Sequence, residues 1–151
     1  MYKRQGIIFY LDGNGGGLIA APSDQPSATW GCYGQSIGGT SSAVGTGAAN
    51  TTAIVSGCSE TAIAARICAD LILGGYTDWF LPSKDELNLM YENIGQGNVL
   101  GLGNVGNFAN YYYWSSTENV SSSAWEQNFD DGNQTNYGKD YTFNVRAVRA
   151  F

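Results

Sequence analysis

The chain has 151 residues, of which 43% are hydrophobic and only 13% charged, with a net charge of −6. That length fits one domain with a real core, and 7 scattered Lys and Arg against 13 Asp and Glu supply no basic face for nucleic acid. No apolar run approaches the ~18 residues of a membrane span, and Gly, Ser, Thr and Asn stand where charge is missing, which favours turns and short strands over long helices.

The first five residues, MYKRQ, are too short for a signal peptide and read as a non-native leader, because they resemble translated sequencing-adaptor read-through. The domain is expected to run over residues 6–151. It opens on a β-prone run at 6–11, a glycine-rich turn at 12–17 and a returning strand at 18–21. No Gly-Lys-Ser/Thr follows that turn, so it is not a phosphate loop.

Residues 22–57 show no defensible period and read as a long loop, with Trp30 and Tyr33 expected to anchor it by burial. Of three cysteines, at most one internal pair can form. Cys32 with Cys58 is preferred, since both lie in coil and a bridge there staples the loop. Cys68 falls in a helix pattern and is expected to pack as a small hydrophobe. The chain has no His and no Cys-x-x-Cys, so neither a metal site, a cofactor nor a thiol nucleophile with its usual base is expected.

A first helix is expected over 59–73, with Ile63, Ile67 and Leu71 on one face and Gly74-Gly75 as its stop. The second is the clearest element. Ser83 is an N-cap, Glu86 completes a capping box, and Leu87, Met90, Tyr91 and Ile94 form the buried stripe. Asp85 and Glu86 are explained by the helix N-terminus without catalysis. Gly101-Leu-Gly-Asn-Val-Gly106 matches a dinucleotide fingerprint only formally, because it follows a helix and precedes a strand.

Three strand-like runs close the chain, at 111–117, 124–129 and 143–151, with Asp131-Gly132 as a tight turn. Trp114, Trp125, Phe129, Val145, Ala147, Val148 and Phe151 read as framework. By two-residue alternation Arg146 points away from Val145, whereas Arg149 shares its face and needs a carboxylate such as Glu118 or Asp78. Interleaved with this framework are residues of the kind that binding surfaces use, where Tyr gives rigid contact area and Ser, Asn and Gly adaptable hydrogen bonds. The surface built by residues 111–142 is expected to face a partner, and the candidate ligand-binding residues in it are Val120, Ser121, Ser122, Ser123, Asp130, Asp131, Thr135, Asn136, Tyr137, Gly138, Asp140, Tyr141 and Thr142. Asp130-Asp131-Gly132-Asn133 offers oxygens but lacks the spaced acids of an EF-hand loop.

The segments Gly75-Tyr-Thr-Asp-Trp-Phe-Leu-Pro-Ser-Lys-Asp-Glu-Leu87, Tyr113-Trp-Ser-Ser-Thr-Glu118, Ala124-Trp125 and Val145-Arg-Ala-Val-Arg-Ala-Phe151 together resemble the C-terminal (Lcl-type) domain of collagen-like bacterial adhesins. That resemblance covers nearly the whole chain. It implies an α+β, C-type-lectin-like fold with two helices flanking a small, mainly antiparallel sheet, and with the N- and C-terminal strands paired. It also implies a protein or glycan ligand on a cell surface, and an extracellular, cell-surface or phage-particle location; homo-oligomers are common among such domains.

The same architecture serves the variable proteins of diversity-generating retroelements, whose adenine-directed mutagenesis converts Asn codons to any codon ending in a pyrimidine. Within 119–142 only Trp125, Glu126, Gln127, Gln134 and Lys139 lie outside that reachable set. The pattern permits a diversified surface, with Glu126 in the middle of the patch counting against it. Two other functions stay open: a structural fibre or adhesin subunit, and an enzyme of the formylglycine-generating kind, which shares the broad fold. The lack of His argues against the enzyme.

Overall fold

The computed structural model describes residues 2–3 and 6–151. The expected leader therefore falls largely outside the described residues, although the backbone of Tyr2–Lys3 forms a short strand, β1, paired with β2 (Gly6–Leu11). The fold is α+β, with two sheets and three helices among the described residues.

The predicted opening hairpin is present. The β2 strand pairs antiparallel with β3 (Gly17–Ala20), and Asp12 closes the turn by accepting the N–H groups of Asn14 at 2.7 Å and Gly16 at 3.0 Å. Pairing of the first strand with the last needs correction. The closing strand β9 (Val148–Ala150) pairs with β3, so the sheet order is β1-β2-β3-β9. The β3 strand is central because Leu18, Ile19 and Ala20 are all buried, whereas Leu11 at the end of β2 is 56% exposed.

The second sheet has the order β4-β8-β5-β6-β7, built from β4 (Gln25–Thr29), β5 (Tyr112–Val120), β6 (Ser123–Asn128), β7 (Gln134–Gly138) and β8 (Thr142–Val145). All neighbours in it are antiparallel except β5 and β8. The expected closing strand over 143–151 is thus two strands in two sheets. Arg146 sits at the break with its guanidinium buried. It donates to Asp24 Oδ1 at 2.8 Å and to the carbonyls of Ala21 and Gly106, and it lies 4.1 Å over the Phe108 ring. Two-residue alternation does not carry across that break. Arg149 nevertheless pairs with Asp78, as expected, while stacking 3.5 Å from the Tyr76 ring centroid. Glu118 serves Lys139 instead.

The helices also differ from expectation. A first helix, α1 (Gly47–Gly57), lies inside the stretch read as loop, and the helix expected over 59–73 contracts to α2 (Ala64–Ala69). Ala62 takes a left-handed φ of +57° and Ile63 is extended, so the chain cannot turn helically before Ala64. Arg66 on α2 donates to the carbonyls of Val55 and Cys58 at 2.9 and 2.7 Å, satisfying the end of α1. The third helix, α3 (Lys84–Ile94), carries the predicted capping box, with Glu86 N–H on Ser83 Oγ at 3.2 Å and Ser83 N–H on Glu86 Oε1 at 2.8 Å.

Two apolar clusters result. One gathers Trp30, Trp114, Phe143, Cys68 and α1–α2 residues; the other gathers α3, the first sheet, Phe108, Tyr113 and Phe129. Trp114, Phe129, Val145, Ala147 and Val148 are buried framework as predicted, with Phe151 half-buried. Two anchors are corrected. Tyr33 is 60% exposed, because its neighbour Cys32 is fixed by the bridge and Trp30 already fills the core. Trp125 is only half-buried, lying on the outer part of the sheet under the Lys84 ammonium at 3.7 Å.

Candidate functional site

Strands β5, β6 and β7 form an antiparallel platform, its β5–β6 register shifting beyond Trp114, with Glu126 of β6 opposite Trp114 of β5 and Thr135 of β7. The two-residue alternation divides its side chains between two faces. Trp125 and Gln127 face α3: Gln127 Nε2 donates to Asn88 Oδ1 at 2.8 Å and to the Gly132 carbonyl at 3.0 Å, and Gln134 Nε2 donates to the Lys84 carbonyl at 2.8 Å. Glu126, Thr135 and Tyr137 face the other way.

On that second face four tyrosines ring Phe143. Their centroids lie 6.1 Å (Tyr111), 5.1 Å (Tyr112), 5.4 Å (Tyr137) and 6.1 Å (Tyr141) from its ring, and Phe143 itself stacks on buried Trp114 at 4.7 Å. The inner edge of the cluster is core, while Tyr111, Tyr137 and Tyr141 are 46%, 38% and 53% exposed. This is an aromatic surface backed by a rigid base, with ring edges meeting ring faces as aromatic pairs prefer.

Within the platform, Glu126 is 1% exposed. Thr135 donates its hydroxyl to Oε1, while Oε2 is a buried oxygen without a hydrogen-bond partner. Burial, with the nearby Asp131 charge adding to it, pushes this carboxyl up to about 7.

The remaining predicted residues occupy four places. Asp130 and Asp131 are exposed in the β6–β7 turn, where Asp131 Oδ1 accepts Asn133 N–H at 2.9 Å. Gly132 takes φ +82° there and leaves room only for the Tyr91 ring, 2.4 Å from where a Cβ would sit. Val120, Ser121, Ser122 and Ser123 lie at the opposite end of β6, half-buried except for exposed Val120, against the loop held by Gly34 N–H on the Ser121 carbonyl at 3.0 Å. Asn136 is exposed on edge strand β7, facing opposite to Thr135 and Tyr137, and half-buried Gly138 ends that strand. Asp140 and Thr142 are exposed beside Tyr141 in the crossover from β7 to β8. The thirteen residues therefore form no single surface; Thr135, Tyr137 and Tyr141 join the aromatic face.

Tyr111, Tyr112 and Glu126 lie within the expected 111–142 surface but are not among the thirteen candidate ligand-binding residues. The run of three tyrosines at 111–113 carried the signal, since alternation must send Tyr112 opposite to buried Tyr113. Lys139 carried another: the crossover is fixed because its ammonium is fully buried, donating to Glu118 Oε2 at 2.7 Å and the Gln35 carbonyl at 2.9 Å, 4.7 Å over the Trp30 ring. Burial alone raises Glu118, but the Lys139 bond and the N–H groups of Ile37 and Gly38 outweigh it and hold that carboxyl low.

The expected Cys32–Cys58 disulfide is formed, and Cys68 is a fully buried free thiol whose thiolate is disfavoured by that burial. Among the described residues, Cys32, Cys58 and Glu60 are close enough to share a metal ion, but both sulfurs are spent in the disulfide.

No helix of the described residues is long and apolar enough to cross a membrane. No curated protein matches the sequence. The Lcl C-terminal domain model matches residues 26–149, spanning α1–α3 and the whole aromatic platform; the chain belongs to the Lcl C-terminal domain family.

Proposed function

We propose that this domain is a non-catalytic recognition module of C-type-lectin-like architecture, adhesin-like or receptor-binding, that engages a cell-surface protein or glycan. The observation that carries the reading is the tyrosine surface around Phe143. Large apolar rings with polar tips stand exposed on a sheet whose opposite face is packed on α3, the composition and rigidity that binding surfaces favour. Family membership supports an adhesin-like or surface module, and the Cys32–Cys58 bridge suits an oxidising, extracytoplasmic setting.

A specific observation favours a diversified surface within the same reading. The five residues of 119–142 that adenine-directed mutagenesis cannot reach from Asn are all engaged. Lys139 binds Glu118, Gln127 binds Asn88, Gln134 binds Lys84, Glu126 accepts from Thr135, and Trp125 lies under Lys84. Reachable Val120, Asp130, Asp131, Asn136, Tyr137, Asp140, Tyr141 and Thr142 are exposed. Sequencing the neighbouring DNA checks this: a near-copy of the 3′ segment differing only at adenines, beside a reverse transcriptase, is expected.

The recognition reading is tested with labelled domain on bacterial and animal cell surfaces. Wild-type protein should bind a subset of them. A variant carrying Asp130→Ser, Asp131→Ser, Tyr137→Ser and Tyr141→Ser should fold and lose that binding. Equal binding by the folded variant removes this face from the function.

A further inference from the structure

The tyrosine face lies over an electrostatic oddity. In the register of the platform, Tyr112 stands opposite Asn128 and Tyr137 opposite Ala124, so Glu126 lies midway between them on β6. The Tyr112 and Tyr137 rings approach to 5.9 Å across that position. Beneath them is a carboxylate that is 99% removed from solvent, has one oxygen without a partner, and has no cation paired to it among the described salt bridges. The two ammonium groups nearest this region are committed elsewhere: Lys139 to Glu118 and the Trp30 ring, and Lys84 to the Trp125 ring on the opposite face.

Burying a carboxylate without a counter-charge is costly, so the group either holds a proton or is paired with a cation, and a bound cation favours the ionised form. Tyrosine faces attract cations through their ring quadrupole, most strongly where water is excluded. Asp131 adds a second negative charge felt at Glu126, and the chain as a whole carries −6. Tyr137 stands on the outermost strand of the sheet and is 38% exposed. Its ring packs on Phe143 at 5.4 Å, on Tyr112 at 5.9 Å and on Tyr141 at 5.0 Å, so the exposed aromatic face is continuous over the Glu126 position.

We propose that the four tyrosines around Phe143, with the Glu126 carboxylate beneath them, form a subsite for an organic cation, an ammonium or guanidinium head presented by the ligand. This deepens the recognition reading and rests on it. The rings supply the walls, and Glu126 supplies the charge and the acceptor for a donated N–H or for a through-space contact with a quaternary head. The same chemistry occurs in basic protein side chains and in choline-type head groups, and two probes separate them.

The experiment is an NMR titration of the intact domain, read at the ring protons of Tyr111, Tyr112, Tyr137 and Tyr141, at constant ionic strength. Argininamide stands for a basic side chain and choline for a quaternary head; 3,3-dimethylbutan-1-ol is the neutral isostere of choline. Saturable shifts with at least one cation and none with the alcohol are expected. Affinity should fall at least about tenfold in Glu126→Gln, the loss that removing a charge-assisted contact produces. That variant keeps the Thr135 bond, and its amide spectrum reports its fold; Tyr137→Leu provides a second reading of the same loss. Absence of saturable shifts with both cations, equal binding of the alcohol, or unchanged affinity in both variants overturns the proposal. If the cations fail while wild-type domain still binds cells and the fourfold variant does not, only the cation assignment falls.

Discussion

Glu86 Oε2 accepts the backbone N–H of Gly45 at 2.9 Å, so one buried carboxylate serves the starts of two helices, its own α3 through Ser83 and the distant α1. Gly47 is glycine for that reason: a Cβ there would lie 2.2 Å from Glu86 Oε1 and 2.8 Å from the Phe80 ring. Gly47→Ala should therefore destabilise by about 1–3 kcal/mol, as overpacking does. Ser83→Ala should cost about 0.5–2 kcal/mol, towards the upper end because Ser83 Oγ also donates to the Ala43 carbonyl at 2.9 Å. Urea melts of the two variants provide the check, and unchanged midpoints would remove this junction from the account of stability.

Lys139→Met should be among the most damaging single changes outside the apolar core. It strands the Glu118 carboxylate, which then keeps only the N–H groups of Ile37 and Gly38. Breaking a buried pair from one side costs about 3–5 kcal/mol. The pH dependence has a defined sign. Glu118 is held below its ordinary value in the folded state, so its contribution is present above the unfolded carboxylate pKa and is lost as pH falls through the folded one. The acid limb of the stability curve should flatten in Lys139→Met, and a limb parallel to wild type would contradict the pairing.

How much of this was legible depended on whether the cause was local. The α3 cap was readable because Ser83 and Glu86 satisfy each other three residues apart, and the β2–β3 hairpin because Asp12 and its glycines close their own turn. The α1 helix was not, because its buried face is polar. Asn50 holds Ser41 and Ser116, and Thr51 Oγ1 accepts Leu81 N–H at 3.0 Å, so no apolar period exists to be seen. The split of the last strand was hidden because Arg146 looks like a surface residue until Asp24, 122 positions earlier, is brought beside it. At the candidate site, residue type marked Tyr137 and Tyr141. Alternation then dispersed the neighbours that composition had grouped, and it added Tyr112 and Glu126.

Framework and surface should separate cleanly in stability. Trp114→Ala or Phe129→Ala removes a fully buried ring and should cost about 3–5 kcal/mol. Trp125→Ala should cost markedly less, since that side chain is only partly buried and its ring lies under the Lys84 ammonium. Tyr141→Ser should fall near the usual surface range of about ±0.5 kcal/mol, plus a small loss of ring contact. Thermal melts of the four variants decide it: a Tyr141→Ser loss matching that of Trp114→Ala would make the tyrosine face a core.

Glu126 should leave a signature at neutral pH opposite in sign to that of Glu118. Its folded-state carboxyl is raised to about 7 by burial and by Asp131, with the Thr135 hydroxyl only partly offsetting this. The groups facing it are otherwise uncharged: the rings of Tyr112, Tyr137 and Trp114, and the side chain of Asn128. The folded state therefore holds a proton that the unfolded chain has released, and stability falls as pH rises from the ordinary carboxylate range through about 7. The loss is about 1–3 kcal/mol, at about 1.4 kcal/mol per pH unit. Glu126→Gln cannot ionise and keeps the Thr135 bond, so it should match wild type near pH 5 and exceed it near pH 8.5. Glu86, also raised by burial, leaves a residual slope in both proteins, and it cancels in their difference. Urea midpoints at the two pH values give that difference directly. Parallel curves would mean that the carboxylate is solvated or paired when ionised, and Glu126 would then carry no unpaired charge beneath the tyrosines.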